Sequence, residues 1–258
     1  MVRGQVGAVV HPQDGWTPPR IATWLVVAAA VLYSSWLAAW HLNPEHDAVT
    51  AYVSELAAHG EPFSHLFRAL DAVAGAAVVV AGALTLRSAR GGGARDDRGV
   101  AGSPRLRLAS LAPFVPFVPF VLLVVFGFAT VIDAFLPLSC TPTSDLACAA
   151  AEKAGDVPLA HRLHVVTSAG AGAVAAVAMV WWWFGERRRA RHAATTEARR
   201  ERAIVYVGAA LVAIHLTALA ISLADIAGVG PGVLGAAQRV SLLALALWLP
   251  VPFLRQTR

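Results

Sequence analysis

The sequence is short of charge: Asp, Glu, Lys and Arg make up 14% of its 258 residues, against 57% hydrophobic residues and a mean hydropathy of +0.60. A soluble domain carries about 25% charged residues, so the shortage excludes a chain that folds in water. Cysteine is almost missing. Cys140 and Cys148 are the whole complement, too few for a multi-thiolate zinc module and wrongly spaced for a CxxC redox pair. No repeat of fixed period is present beyond the local Pro-Phe-Val triplets between Pro113 and Phe120, which excludes a solenoid. A net charge of +5 and a pI near 10.0 would suit a nucleic-acid binder. The arginines stand instead in short blocks between apolar runs, the pattern of topology signals, so membrane lipids and not nucleic acid are the expected partners.

About 20 apolar residues in helix cross a hydrocarbon core of roughly 30 Å, and each segment must satisfy its own backbone hydrogen bonds there. Six stretches qualify, near 21–40, 62–86, 108–136, 161–184, 204–227 and 234–254. The sequence thus predicts an all-α integral membrane protein, a six-transmembrane-helix bundle over 21–254, flanked by segment 1–20 and tail 255–258. An even count puts both termini on one side. Of the 21 basic residues, 17 fall in the termini and the 87–107 and 187–202 blocks, while the other connections hold ten acids. Positive loops stay inside, so both termini are expected to be cytoplasmic and the protein to be multi-pass in the cytoplasmic membrane. The first span exceeds an ordinary signal-peptide core and lacks a small-residue cleavage site, which favours a retained helix.

Tryptophans mark the span ends: Trp36 and Trp40 on the first, Trp181, Trp182 and Trp183 on the fourth, as expected of interfacial anchors. Gly75 and Gly82, and Gly170, Gly172 and Ala176, are candidates for close helix packing. Pro113, Pro116 and Pro119 predict that the start of the third span is kinked, or extended until about Pro119. The arginine-rich connection with Gly91, Gly92 and Gly93 reads as a segment that cannot bury enough apolar area to order itself; the other, with Glu186, Glu197 and Glu201, reads first as a solvated topology signal and otherwise as helix extensions past the membrane or a contact with anionic headgroups. Cys140 and Cys148 share the outer connection 137–159. In an oxidising compartment they are expected to form a disulfide, worth roughly 2–3 kcal/mol for so short a loop, closing a lid over the helix ends.

Ionisable groups inside spans are costly and tend to face a bundle interior, so their placement is the best functional signal. They gather at the outer ends. On the second helix Phe63, Leu66, Phe67 and Leu70 form one stripe, leaving His65 and Arg68 opposite with Asp71 close by. Asp133 ends the third helix; His161, His164 and Ser168 share a face of the fourth; Asp225 and Ser222 end the fifth; Gln238, Arg239 and Ser241 open the sixth. His161 and His164 with Asp133 or Asp71 would suit a divalent metal such as zinc and a metal-dependent hydrolase. Arg68 and Arg239 would instead suit a phosphate. The plain alternative pairs Arg68 with Asp71 and Arg239 with Asp225 or Asp133, leaving the histidines as helix caps. His215, midway along the fifth span, suits a cross-helix hydrogen bond, a proton relay or a third metal ligand.

Between the first two spans the chain reads Tyr52-Val53-Ser54-Glu55-Leu56-Ala57-Ala58-His59-Gly60-Glu61-Pro62, followed by Phe67-Arg68. Ser-Glu-Leu followed by Gly and Pro before an aromatic helix entrance resembles the bacterial multi-pass family catalogued as domain of unknown function 998, and more distantly the Frag1/DRAM/Sfk1 membrane proteins. That resemblance implies a six-helix bundle of a bacterial plasma membrane and carries over no catalytic residue. Val49, Tyr52, Val53 and Leu56 have the spacing of an amphipathic helix lying on the outer face. Ser54 and Glu55 then stand near the proposed pocket, as site residues or as hydrogen bonders that fix the loop. Alkaline ceramidases were a competing likeness, but their terminal-helix HxxxH and seventh span are missing. The expected function is a lipid-headgroup or small-ligand binding, envelope-associated protein, with a metal-dependent membrane hydrolase and a small-solute transporter as alternatives.

Overall fold

A computed structural model describes residues 18–96, 117–193 and 197–256. Prolines open α1 (Pro18–Leu32), where they cost little because first-turn amides have no intrahelical partner. A 3-10 turn (Ser35–Ala38) and α2 (Ala39–Leu42) carry the chain on to a second 3-10 turn (Val53–Ala57). There follow α3 (Ser64–Asp96), α4 (Val118–Ala134), α5 (Leu146–Ala154), α6 (Leu159–His192), α7 (Ala198–Ile226), α8 (Leu234–Trp248) and α9 (Val251–Leu254), with Pro250 between the last two. No strand occurs among the described residues.

Five helical segments are long and apolar enough to cross a membrane: Arg20–Ala38, Ser64–Ala89, Leu159–His192, Ala198–Ile226 and Leu234–Leu254. The third predicted span is represented by α4, only 17 residues long. Pro119 sits in its first turn, and Pro113 and Pro116 lie outside the described residues. The prediction of a loop at the glycine-rich connection is corrected, and of the readings of the 187–202 connection the helix extension is the one seen. α3 continues through Gly91, Gly92 and Gly93 to Asp96, and α6 and α7 extend until only 193–197 separate them. Adding residues to a formed helix costs far less than starting one, so the glycine and arginine composition does not end it.

The helices form a closed ring. α1 packs on α3, α3 on α4, α4 on α6, α6 on α7 and α7 on α8, while α1 returns to α8 and α9. Its tightest crossing is α3 on α4. A Cβ on Gly75 would stand 2.7 Å from the Gly127 carbonyl oxygen, and one on Gly127 would stand 2.6 Å from that of Gly75. Gly170 has nothing within 4 Å and Gly172 only Leu219 at 3.7 Å, so the glycines of α6 do not make the close approach expected of them.

The end of the ring away from the disulfide is packed with aromatic side chains. Phe120 meets Phe253, and Trp182 meets Trp248, both edge-on. Two tryptophans expected as interfacial anchors are buried instead, Trp36 and Trp182, while Trp181 is exposed. Arg255 ties this end together, donating to Glu186 Oε2 at 2.7 Å and to both Glu201 oxygens at 2.9 and 2.6 Å, while Arg189 takes Glu186 Oε1 at 2.8 Å. These acids are buried partners and not solvated loop charges, and together they hold the Arg255 guanidinium firmly charged.

The glycine contact generates a direct test. Gly127→Ala forces α3 and α4 apart and is expected to cost about 1–3 kcal/mol, lowering the Tm in detergent, whereas Gly170→Ala leaves it unchanged. Equal Tm values for the two variants would remove the crossing as a determinant of stability.

Candidate functional site

The segment between α2 and α3 lies across one end of the ring. Arg239 Nη1 donates to the Ala48 and Ala51 carbonyls, each at 2.9 Å, the Val53 amide donates to Gln238 Oε1 at 2.9 Å, and the Ala236 amide donates to the Val49 carbonyl at 3.0 Å. Gly235 is bare for a reason: a Cβ there would lie 2.3 Å from the Ala51 oxygen. With so many direct backbone contacts the segment holds only the 3-10 turn Val53–Ala57, not the amphipathic helix that its spacing predicts.

The 137–159 connection seals the same end as a lid. Cys140 and Cys148 form the expected disulfide, with Cα atoms 6.0 Å apart. α5, which the sequence reading did not foresee, fills the connection. Asp145 caps its first turn by accepting from the Ala147 and Cys148 amides, and Gly155, at φ +73°, ends it in the left-handed region. Glu55 has no exposure and accepts from the Thr143 amide at 2.8 Å and its hydroxyl at 2.5 Å. Burial pushes its carboxyl upward against the opposing effect of those bonds, and raises the neighbouring Tyr52 to about 12. His161 Nδ1 accepts from the Ser139 amide at 3.1 Å, which places its proton on Nε2, 3.5 Å from Glu152.

Under the lid lies a cavity of about 230 Å³ lined by α3, α4, α6, α7 and α8 together with Tyr33, just past the end of α1. One wall is polar. Asp133 accepts from the Thr167 hydroxyl and, at 2.7 Å, from the Ser168 hydroxyl, and stands 3.2 Å from His164 Nδ1. His164 Nδ1 makes no hydrogen bond, being out of line with that carboxylate, and Nε2 is 3.4 Å from Ser168 Oγ. Asp71 faces the same space within electrostatic range of Asp133, and Tyr33, hydrogen-bonded to Thr130, is close to both. The other wall is apolar, from Val165 and Ala169 on α6 to Leu219 and Leu223 on α7 and Leu242 on α8. His215 closes the floor: Nδ1 is 2.9 Å from Ser241 Oγ and Nε2 3.4 Å from the Gly172 carbonyl, joining α6, α7 and α8.

Of the polar residues singled out in the sequence, Ser54, Asp71, Asp133, His164, Ser168, His215, Ser222, Gln238 and Ser241 line this cavity. His65 is exposed, as are Phe63 and Leu66 of the apolar stripe opposite it, of which Phe67 is the buried member. Arg68 neither pairs with Asp71 nor faces the cavity; its Nε donates to the Ala134 carbonyl at 2.9 Å and caps α4. Asp225 accepts from the Gly232 and Val233 amides, both at 2.8 Å, and so fixes the α7–α8 turn rather than pairing with Arg239. Arg239 belongs to the lid-bearing segment, with its guanidinium 5.9 Å from the centre of the Trp36 ring. His161 belongs to the lid. The trio His161, His164 and Asp133 therefore does not assemble, and among the described residues no three His, Cys, Asp or Glu side chains are grouped to hold a metal ion.

Sequence reasoning missed Tyr33 and Thr130, though each had a weak signal: Thr130 lies one helical turn before Asp133, and Tyr33 is the tyrosine of the first span. Chemically the site offers acceptors and one imidazole on one side and hydrocarbon on the other. It contains no Lys or Arg.

Glu55 generates a pH prediction. Its carboxyl is raised in the folded state above 4.5, so the fold binds a proton that the unfolded chain releases first. Stability is then fully present below about pH 4.5 and falls as the pH rises through the folded value, by at most about 1.4 kcal/mol per pH unit. Thermal unfolding against pH is expected to show this decline, and Glu55→Gln to flatten it; an unchanged slope in the variant assigns the decline elsewhere.

No curated protein and no solved structure matches this chain. Residues 26–102 and 100–255 do match the family described as "Protein of unknown function (DUF998)". That match spans nearly the whole helical ring, and the chain belongs to the DUF998 family.

Proposed function

We propose that this chain is a six-span protein of a bacterial cytoplasmic membrane whose lidded cavity binds a lipid headgroup or another small amphiphile. In this reading α4 is the third crossing segment, and residues 1–20 and 255–258 lie in the cytoplasm. Sidedness follows from the arginines, since 17 of 21 basic residues fall on the side away from the lid. A disulfide in the lid suits the oxidising exterior.

One observation carries the functional reading: a cavity with a carboxylate-histidine-hydroxyl wall facing a hydrocarbon wall, the two halves of an amphiphile. Binding is favoured over passage because His215 is held by two neighbouring helices, and Met179, Trp182 and Trp248 fill the ring beyond it.

Protein released from membranes in a mild maltoside detergent is expected to retain a stoichiometric amphiphile by native mass spectrometry. Leu219→Trp, which fills the cavity from its apolar wall, is expected to abolish retention with little change in Tm; undiminished retention would put the bound lipid elsewhere and overturn the reading. For orientation, His192→Cys is expected to resist a membrane-impermeant maleimide in intact cells and to react after lysis. Labelling in intact cells would reverse the assigned sidedness.

A further inference from the structure

Resting on the reading of the cavity as an amphiphile site, we infer that its ligand is cationic, an alkyl chain ending in an ammonium group, and that it enters sideways between the lid-end halves of α6 and α7. The charge of the wall selects the headgroup. Asp71 and Asp133 both face the cavity, and no Lys or Arg lines it. The two arginines at this end of the ring are committed to carbonyls, Arg68 to Ala134 and Arg239 to Ala48 and Ala51. Asp133 is partly satisfied by Thr167 and Ser168. Asp71 makes no hydrogen bond or ion pair among the described residues and meets only the repulsion of Asp133.

A carboxylate held in a poorly polar space without a partner is costly, and two facing one another cost more. An ammonium group carries one positive charge and three donors, enough to bind the unpartnered Asp71 while facing Asp133, whose two oxygens already accept from Thr167 and Ser168 and one of which lies 3.2 Å from His164 Nδ1. A phosphate would bring further negative charge to the same wall, and a hydroxyl would leave the charge unbalanced.

The path is written in the diverging helices. Near the floor α6 and α7 are close: a Cβ on Gly208 would meet the Trp182 ring at 2.9 Å, and His215 reaches the Gly172 carbonyl. Towards the lid no hydrogen bond joins the two helices among the described residues. There Val165, Leu223 and Ile226 line the cavity and are 38%, 52% and 57% exposed, more than residues enclosed on every side would be. On the same stretch a Cβ added to Gly170 would meet nothing within 4 Å. A side chain that borders both the cavity and the surrounding lipid marks a lateral opening, and these are apolar, as passage of an alkyl chain requires. The cavity holds the headgroup and the start of the chain, and the rest of the tail remains in the bilayer.

The test compares three probes, dodecylammonium, dodecanol and dodecyl phosphate, by calorimetric titration of the protein in maltoside micelles below the probes' own micellar concentrations. The wild type is expected to bind dodecylammonium at least tenfold more tightly than dodecanol, and dodecyl phosphate most weakly. Asp71→Asn is expected to weaken dodecylammonium at least tenfold while leaving dodecanol within about threefold. Because dodecanol binding reports an intact cavity, loss of both signals in Asp71→Asn is resolved by Asp71→Glu, which is expected to restore the ammonium preference. Ala169→Trp, which narrows the opening, is expected to slow association of dodecylammonium and dodecanol alike. Equal affinity for dodecanol and dodecylammonium, or tightest binding of dodecyl phosphate, overturns the cationic assignment and leaves the amphiphile site standing. Absence of binding by all three probes, with no effect of Leu219→Trp, overturns the site itself.

Discussion

A polar group carried into an apolar frame must find its partner within the protein, and the arrangement of this chain follows from that constraint. Glu55, Glu186, His161 and His215 are all buried, and each is engaged by groups distant in sequence: Thr143, Arg255, Ser139, and the helices carrying Ser241 and Gly172. These pairings cross from one element to another, so each also fixes a relative position. The lid is held this way at several points, through Glu55, through His161 and through the amide of His59 donating to the Leu138 carbonyl at 2.9 Å. A disulfide alone would limit the lid's own freedom without telling it where to sit; the hydrogen bonds supply its location.

The two ends of the ring meet the constraint differently. At the end away from the lid, Arg255 lies between Glu186 and Glu201, so charge is balanced locally and the surrounding aromatics pack without a large polar void. Replacing such a cluster with apolar residues is often neutral for stability, but removing one member leaves uncompensated buried charge. At the lid end the balance is incomplete. Two carboxylates face the cavity with no Lys or Arg among its described lining residues, and Arg68 and Arg239 serve backbone carbonyls. An unbalanced polar wall inside an otherwise well-satisfied fold is where function is expected to reside, because its satisfaction is left to something that comes and goes.

The helical spans were legible in the sequence because span length and hydropathy are local properties, and five of the six expected spans have candidate crossing helices close to the expected residues. The disulfide was legible for the same reason, with two cysteines in one connection. Side-chain partners were not. Arg68 and Asp71 are one turn apart and of opposite charge, so pairing was the natural reading, yet the unsatisfied carbonyl of Ala134 at the end of α4 takes the guanidinium. Asp225 likewise serves two amides of its own turn rather than the arginine fourteen positions on. Backbone groups at helix ends compete for side chains, and a one-dimensional pattern of charges does not display them. His161 and His164 share a helix face, yet three residues of advance along α6 moves a side chain from the lid to the cavity.

That last separation decides what chemistry the histidines support. With Nδ1 of His161 occupied by an amide donor, its ring cannot offer that nitrogen to a ligand without releasing Ser139 and loosening the lid. His164 has the opposite position: Nδ1 close to Asp133 but out of line, Nε2 at the limit of contact with Ser168, and the cavity before it. A ring so loosely held adjusts cheaply when a donor-bearing group arrives, and Ser168 and Thr167 can shift their hydroxyls with it. The lid-side histidine thus preserves the geometry of the enclosure while the cavity-side histidine accommodates its occupant, a division of roles made by one turn of the same helix.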